Sequence, residues 1–184
     1  LGASAKIKDD GSPVTKADLA SEAILLPAIS VAAPSIQIVS EENVTSHGFS
    51  VTERFFLVDP LDGTKEFLKA DNKGAFTVNI GLVKGGVPVM GIVYAPALDR
   101  LFFGAREAGA FEISGNICRK IEVRKPPAEG WTAVASASHR DKDTNDWLQA
   151  QGIGKTIAIG SSLKFCLIAA GEADAYPRYG PTME

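Results

Sequence analysis

Chemistry in this 184-residue chain concentrates in one short run, Asp59-Pro60-Leu61-Asp62-Gly63-Thr64, which holds two carboxylates, a glycine and a hydroxyl. By composition alone the run is as readily a turn, because Asp-Pro and Asp-Gly are both turn dipeptides. Its position changes the odds. Phe55-Phe56-Leu57-Val58 carries no polar residue and leads straight into Asp59. Carboxylates held at the edge of an apolar core are costly unless a cation neutralises them. A tight bend stiffened by Pro60 can aim Asp59 and Asp62 at one point, and Gly63 lets the backbone approach a ligand closely. The amides of Gly63 and Thr64 can hold a phosphate if a helix starts there. Ligation by oxygen alone favours Mg²⁺ over zinc, and the aspartate spacing is not that of a calcium loop.

Two further acidic segments stand out less by themselves. Ser40-Glu41-Glu42 follows the apolar run Ile36-Gln37-Ile38-Val39. Adjacent glutamates are usually solvated, but an acid closing an apolar strand repeats the arrangement at Asp59. Asp18, in Thr15-Lys16-Ala17-Asp18, reads as the first turn of a helix capped by Thr15. Thr64 reads in the same way as a cap for the turn that follows it.

The elements that must position these groups are legible in outline. Lys8 to Pro13 is a polar loop. A helix runs from Lys16 to about Ala33, with Pro27 a candidate kink and Pro34 its end. Ile36 to Val39 is a strand, Asn43 to Glu53 a polar connection, and Phe55 to Val58 a strand stopped by Asp59-Pro60. Phe76 to Val83 and Val87 to Tyr94 form a hairpin about Gly85-Gly86. Short strands follow at Leu101 to Gly104 and Ala110 to Ile113, and Lys125-Pro126-Pro127 marks a boundary. Beyond it come a strand from Thr132 to Ala135, a helix from Asp143 to Gln151, a strand from Thr156 to Ile159 and a helix from Ser162 to Ala170. Gly171 is placed as the stop of that last helix.

The bulk numbers remove several classes. With 45% apolar and 22% charged residues the chain is globular rather than disordered. A net charge of −3 with no basic stripe argues against a nucleic-acid-binding face. Cys118 and Cys166 have no zinc or CxxC spacing. Cys166, inside Phe165-Cys166-Leu167-Ile168, reads as a buried thiol, and this cysteine usage suits a reducing compartment. No stretch is long enough to span a membrane and no signal segment opens the chain. Composition and periodicity alone reach only a mixed α and β fold.

Four segments together resemble the inositol monophosphatase superfamily of lithium-sensitive, magnesium-dependent phosphatases. They are Ser12-Pro13-Val14-Thr15-Lys16-Ala17-Asp18, Ser40-Glu41-Glu42, Asp59 through Thr64, and Gly160-Ser161-Ser162-Leu163-Lys164 with Gly171-Glu172-Ala173-Asp174. Lys65-Glu66-Phe67, Lys164 and Tyr176-Pro177-Arg178 are most similar to the CysQ-type 3′(2′),5′-bisphosphate nucleotidases. Inositol monophosphatases usually continue with Thr-Asn-Phe after the Gly-Thr.

The resemblance implies an αβαβα sandwich, with an α+β metal-binding lobe over residues 1–130 and part of an α/β lobe over 131–184. It implies a fold incomplete at both ends. Family members usually begin with a further helical segment, and they continue with a Trp-Asp-x-Ala-Ala-Gly motif where this sequence reaches Glu184. It implies two or three Mg²⁺ ions held by Glu41, Asp59, Asp62 and the carbonyl of Leu61, with Asp18 and Thr64 orienting and deprotonating the attacking water. Gly63 and Thr64 would hold the scissile phosphate, bordered by Glu41, Leu61 and Asp62. His139, Ser161, Lys164 and Arg178 would contact a nucleotide, although standing alone a lysine or arginine is usually solvated.

The implied reaction converts 3′-phosphoadenosine 5′-phosphate and water to AMP and phosphate, without a covalent phosphoenzyme. The implied setting is cytoplasmic, with homodimerisation and a peripheral position on the inner membrane open. Alternatives are an inositol monophosphatase or sugar bisphosphatase with the same metal core, and a non-catalytic metal- or phosphate-binding module.

Overall fold

The computed structural model describes residues 5–7, 13–48, 50, 52–68, 74–136 and 141–179. A short antiparallel pair, β1 (Ala5–Ile7) and β2 (Pro13–Thr15), leads into helix α1 (Lys16–Ala32). The helix starts where expected because Thr15 and Asp18 form a capping box, with the Thr15 hydroxyl accepting from the Ala17 N–H at 3.0 Å. It runs through Pro27, which does not end it.

A seven-stranded mixed sheet follows in the order β3 (Gln37–Ser40), β4 (Arg54–Asp62), β5 (Thr77–Lys84), β6 (Val87–Ala95), β7 (Arg100–Ala105), β8 (Gly109–Ser114) and β9 (Ile117–Ile121). Only β3 and β4 are parallel; every later pair is antiparallel, and from β5 onward the connections are short. A one-turn helix, α2 (Val44–His47), interrupts the connection between β3 and β4, and another, α3 (Thr64–Phe67), follows β4. Neither one-turn helix nor β9 is marked by periodicity, since each is too short to show a repeat.

A second sheet pairs β10 (Thr132–Ser136) with β11 (Lys155–Ile159) in parallel, bridged by helix α4 (Lys142–Ala150). Helix α5 (Leu163–Ala169) lies between the two sheets. Its Leu163 and Cys166 pack with Ala95, Phe102 and Ile121 of the large sheet. Its Leu167 packs with Val134 of the small one. Alternation along β10 turns Ala133 the other way, onto Leu148 and Ile153 at α4. With α1 packed along β3 and β4, the layers are helix, sheet, helix, sheet, helix. The Cys166 thiol is buried as expected, and burial pushes it up to about 12. No helix among the described residues is long and apolar enough to cross a membrane.

Candidate active site

The strand that carries the acids does not stop where the sequence indicates. β4 continues through Asp59-Pro60 to Asp62, with Asp59 opposite Asn79 and Asp62 opposite Thr77 on β5. Pro60 and Leu61 therefore stand together opposite the single residue Val78, which is a bulge. Side chains three apart on a regular strand point to opposite faces. The extra residue restores the phase and brings Asp59 and Asp62 to the same side. Proline belongs at such a place because it has no N–H to give to the ladder. The Ser21 hydroxyl of α1 donates to the Pro60 carbonyl at 2.8 Å and ties the bulge down.

Glu41 arrives by a different route. Ser40 is in register with Val58, so the parallel pair β3 and β4 places Glu41 beside Asp59. The Glu41 N–H extends the pairing by donating to the Val58 carbonyl at 3.0 Å. Helix α2 steadies this end, with Ser46 Oγ accepting from the Ser40 N–H at 3.0 Å and the His47 ring bonded to the Ser40 carbonyl at 2.8 Å.

The electrostatic result is a crowded carboxylate. Burial pushes the Asp59 carboxyl up to about 8, and the charges of Glu41 and Asp62 and a hydrogen bond with Glu41 push it the same way. The Leu61 N–H, which donates to Asp59 Oδ1 at 3.0 Å, opposes this. Glu41 is exposed at the mouth, and Asp59 and Asp62 are half-buried. Among the described residues no three His, Cys, Asp or Glu side chains are gathered closely enough to hold a metal ion by themselves. The convergence is one of charge. All the donors are oxygens, so the residues fit a hard divalent cation.

Asp18 is buried and serves two purposes. Its Oδ2 accepts from the Thr15 N–H at 2.8 Å and the Thr15 hydroxyl at 2.6 Å, while its Oδ1 faces the Thr64 hydroxyl at 3.3 Å. Thr64 also lies 3.3 Å from the Leu61 carbonyl. It caps nothing, contrary to the sequence expectation: Gly63 is the residue before α3, and Thr64 opens the helix. Gly63 has φ +88°, and a Cβ there would stand 3.0 Å from the Ala75 carbonyl and 3.2 Å from the Ser161 Cβ. Only glycine allows the chain to turn so tightly under Ser161.

Helix α5 begins at the same place. The Ser162 N–H donates to Asp62 Oδ2, and the Ser162 hydroxyl to Asn79 Oδ1 at 2.6 Å. Lys164 is buried rather than solvated, with Nζ donating to the Ser161 carbonyl at 2.5 Å and lying 5.5 Å from the Tyr176 ring centroid. Arg178 is half-buried on the segment after Tyr176. His139 lies outside the described residues. Phe165 breaks the expectation of a buried run, being 61% exposed and edge-on to Tyr176 at 5.2 Å.

Two acids of the Gly171-Glu172-Ala173-Asp174 segment hold the fold together. Asp174 accepts from the Thr132 N–H at 2.7 Å and from Arg124, and Glu172 pairs with Arg100. Sequence reasoning missed Thr77, Asn79 and Ser162. The available signal was two polar residues at a spacing of two, aligned on one face of an apolar strand.

Comparison with known proteins places the fold in a family. Residues 2–184 match the model of the inositol monophosphatase family. The chain is 44% identical over 182 residues to a 3′(2′),5′-bisphosphate nucleotidase CysQ of Salmonella typhimurium, covering 95% of this chain and 70% of that one. It is 43% identical over 180 residues to the CysQ protein of Escherichia coli, with the same coverage. The crystal structure of CysQ from Bacteroides thetaiotaomicron superposes with a TM-score of 0.76 at 35% identity, over 96% of this chain and 71% of that one.

Proposed function

The chain belongs to the inositol monophosphatase family, and from that premise we propose that it is a Mg²⁺-dependent 3′(2′),5′-bisphosphate nucleotidase, releasing phosphate from adenosine 3′,5′-bisphosphate. The observation that carries the chemistry is the convergence of Glu41 and Asp62 on Asp59, beside the Thr64–Asp18 pair. The substrate class rests on the CysQ relatives.

Glu41, Asp59, Asp62 and the Leu61 carbonyl would hold the metal. When bound, Mg²⁺ supplies charge neutralisation for the attacking and leaving oxygens of an in-line displacement. The rest falls to the chain. Asp18, fixed through Oδ2 by Thr15, keeps Oδ1 turned to the Thr64 hydroxyl. Thr64 Oγ can then accept a proton from the attacking water as its own proton passes toward Asp18. The Gly63 and Thr64 amides are assigned to the scissile phosphate, and Ser161, Lys164, Arg178 and His139 to the nucleotide. The same reading divides the chain into a metal-binding lobe over 1–130 and a second lobe from 131.

A substrate panel in Mg²⁺ tests the reading. Turnover of adenosine 3′,5′-bisphosphate should exceed that of inositol monophosphate and of a sugar bisphosphate by a factor of about ten or more, the scale of one hydrogen bond to a charged group. Preference for inositol monophosphate would overturn the substrate assignment. Mg²⁺ binding with no phosphate released from any of the three would overturn the catalytic one.

A further inference from the structure

Each of the two strand acids faces a polar partner directly across the sheet, Asn79 opposite Asp59 and Thr77 opposite Asp62. Thr77 and Asn79 are two apart on β5 and so share a face. Ser162, from the start of α5, reaches both. Its hydroxyl stands 2.8 Å from Thr77 Oγ1 and 2.6 Å from Asn79 Oδ1, and its N–H meets Asp62 Oδ2. Thr77 is wholly buried.

Counting protons gives the set a direction. Ser162 has one hydroxyl proton, and Asn79 Oδ1 can only accept, so that proton goes to the amide. Thr77 then gives its one proton to Ser162 Oγ at 2.8 Å rather than to Asp62 Oδ2 at 3.4 Å. With Oδ1 committed, the Asn79 amide turns Nδ2 toward Asp59 Oδ2 and Thr77 Oγ1, each at 3.4 Å. The three side chains close a one-way ring, and its outward N–H points at the most crowded carboxylate of the site.

We propose that Ser162, through this ring with Thr77 and Asn79, is a positioning residue that orients Asp59 and Asp62 for the divalent cation. The inference rests on the reading of those aspartates as Mg²⁺ ligands. Without the Ser162 hydroxyl the Asn79 amide is free to flip and present Oδ1 to Asp59, which repels the carboxylate instead of holding it. The acids come from the large sheet and the serine from the helix between the sheets. The ring therefore makes cation binding depend on how α5 is seated.

The test is Mg²⁺ binding to the full chain by isothermal titration calorimetry, alongside turnover at varied Mg²⁺. Ser162→Ala should weaken Mg²⁺ about 10-fold, the usual scale for groups that orient metal ligands. The Mg²⁺ concentration for half-maximal turnover should rise by the same factor, while kcat at saturating Mg²⁺ stays close to that of the parent. Ser162→Thr, which keeps a hydroxyl, should restore affinity. Asn79→Ala breaks the ring at another member and should reproduce the loss, and it is the variant read if Ser162→Ala does not fold. Parental Mg²⁺ affinity in folded Ser162→Ala or Asn79→Ala overturns the proposal. Asp62→Asn separates the two readings: if it still binds Mg²⁺ normally, the ligand assignment itself fails.

Discussion

Asp59 and Glu112 sit in one cross-strand row of the large sheet, and their situations are opposite. The row runs Asp59, Asn79, Val93, Phe102, Glu112, Arg119, each directly across from the next. Directly opposite residues share a face, so both acids point toward the layer that contains α5. At one end, burial raises the Glu112 carboxyl but hydrogen bonds from Arg100 and Arg119 outweigh it and hold the group below its ordinary value. Arg100 Nε donates at 2.6 Å and Arg119 at 2.6 and 2.9 Å, and Arg100 also forks onto Glu172. At the other end, Asp59 has Glu41 and Asp62 for neighbours and is driven up to about 8. Two carboxylates of one row are thus lowered by arginines in one place and raised by neighbouring acids in the other. Carboxylates crowded by like charge are the kind that cluster at functional sites, whereas arginine-paired ones are the kind that hold a fold together.

The largest effect should come from removing a charge at the crowded end. Asp62→Asn should lower Mg²⁺-dependent turnover roughly 10³-fold, since a bound ion stabilises the transition state by several kcal/mol. Circular dichroism of the variant should match the parent. Full activity would break the comparison.

At the arginine-paired end the loss should appear in stability instead. Glu112→Gln leaves Arg100 and Arg119 without their shared anion and should cost about 3 kcal/mol in urea unfolding. Its turnover per folded molecule should stay near that of the parent. A selective loss of activity would mean that this end serves the reaction after all.

Asp59→Asn sharpens the contrast by reversing its sign. In chelator-treated protein, removing a carboxyl whose ionisation burial and its neighbours oppose should raise stability by about 1 kcal/mol, while turnover in Mg²⁺ is lost. An apo protein destabilised by this change would show that Asp59 is held by favourable contacts.

The smallest effect is one of pH. The Glu112 carboxyl is lowered on folding, and Asp174 is lowered too, chiefly by its hydrogen bond from Arg124. A lowered folded value means stability that is complete above the ordinary carboxylate range, near pH 4, and lost as pH falls below it. Unfolding midpoints measured from pH 7 to 3 should therefore drop, and the slope should be shallower in Glu112→Gln.

Much of this was legible because it is local. The apolar run ending at Asp59, the Gly85-Gly86 hairpin, the Thr15 cap and the stop at Gly171 each depend on neighbours a few residues away. The bulge was not, because Asp-Pro reads as a turn until a partner strand fixes what lies opposite it. Nor was the burial of Lys164, whose carbonyl and aromatic partners are drawn in by the packing of α5.

The sequence by itself determined which acids close apolar strands and which glycine can turn under them. The tertiary structure alone decided that Glu41 meets Asp59, that Ser162 reaches Asp62 from 100 residues away, and that Glu112 is matched by arginines. The reason is physical. Propensity and periodicity act along the chain, whereas desolvation and charge act through space, and only folding sets those distances.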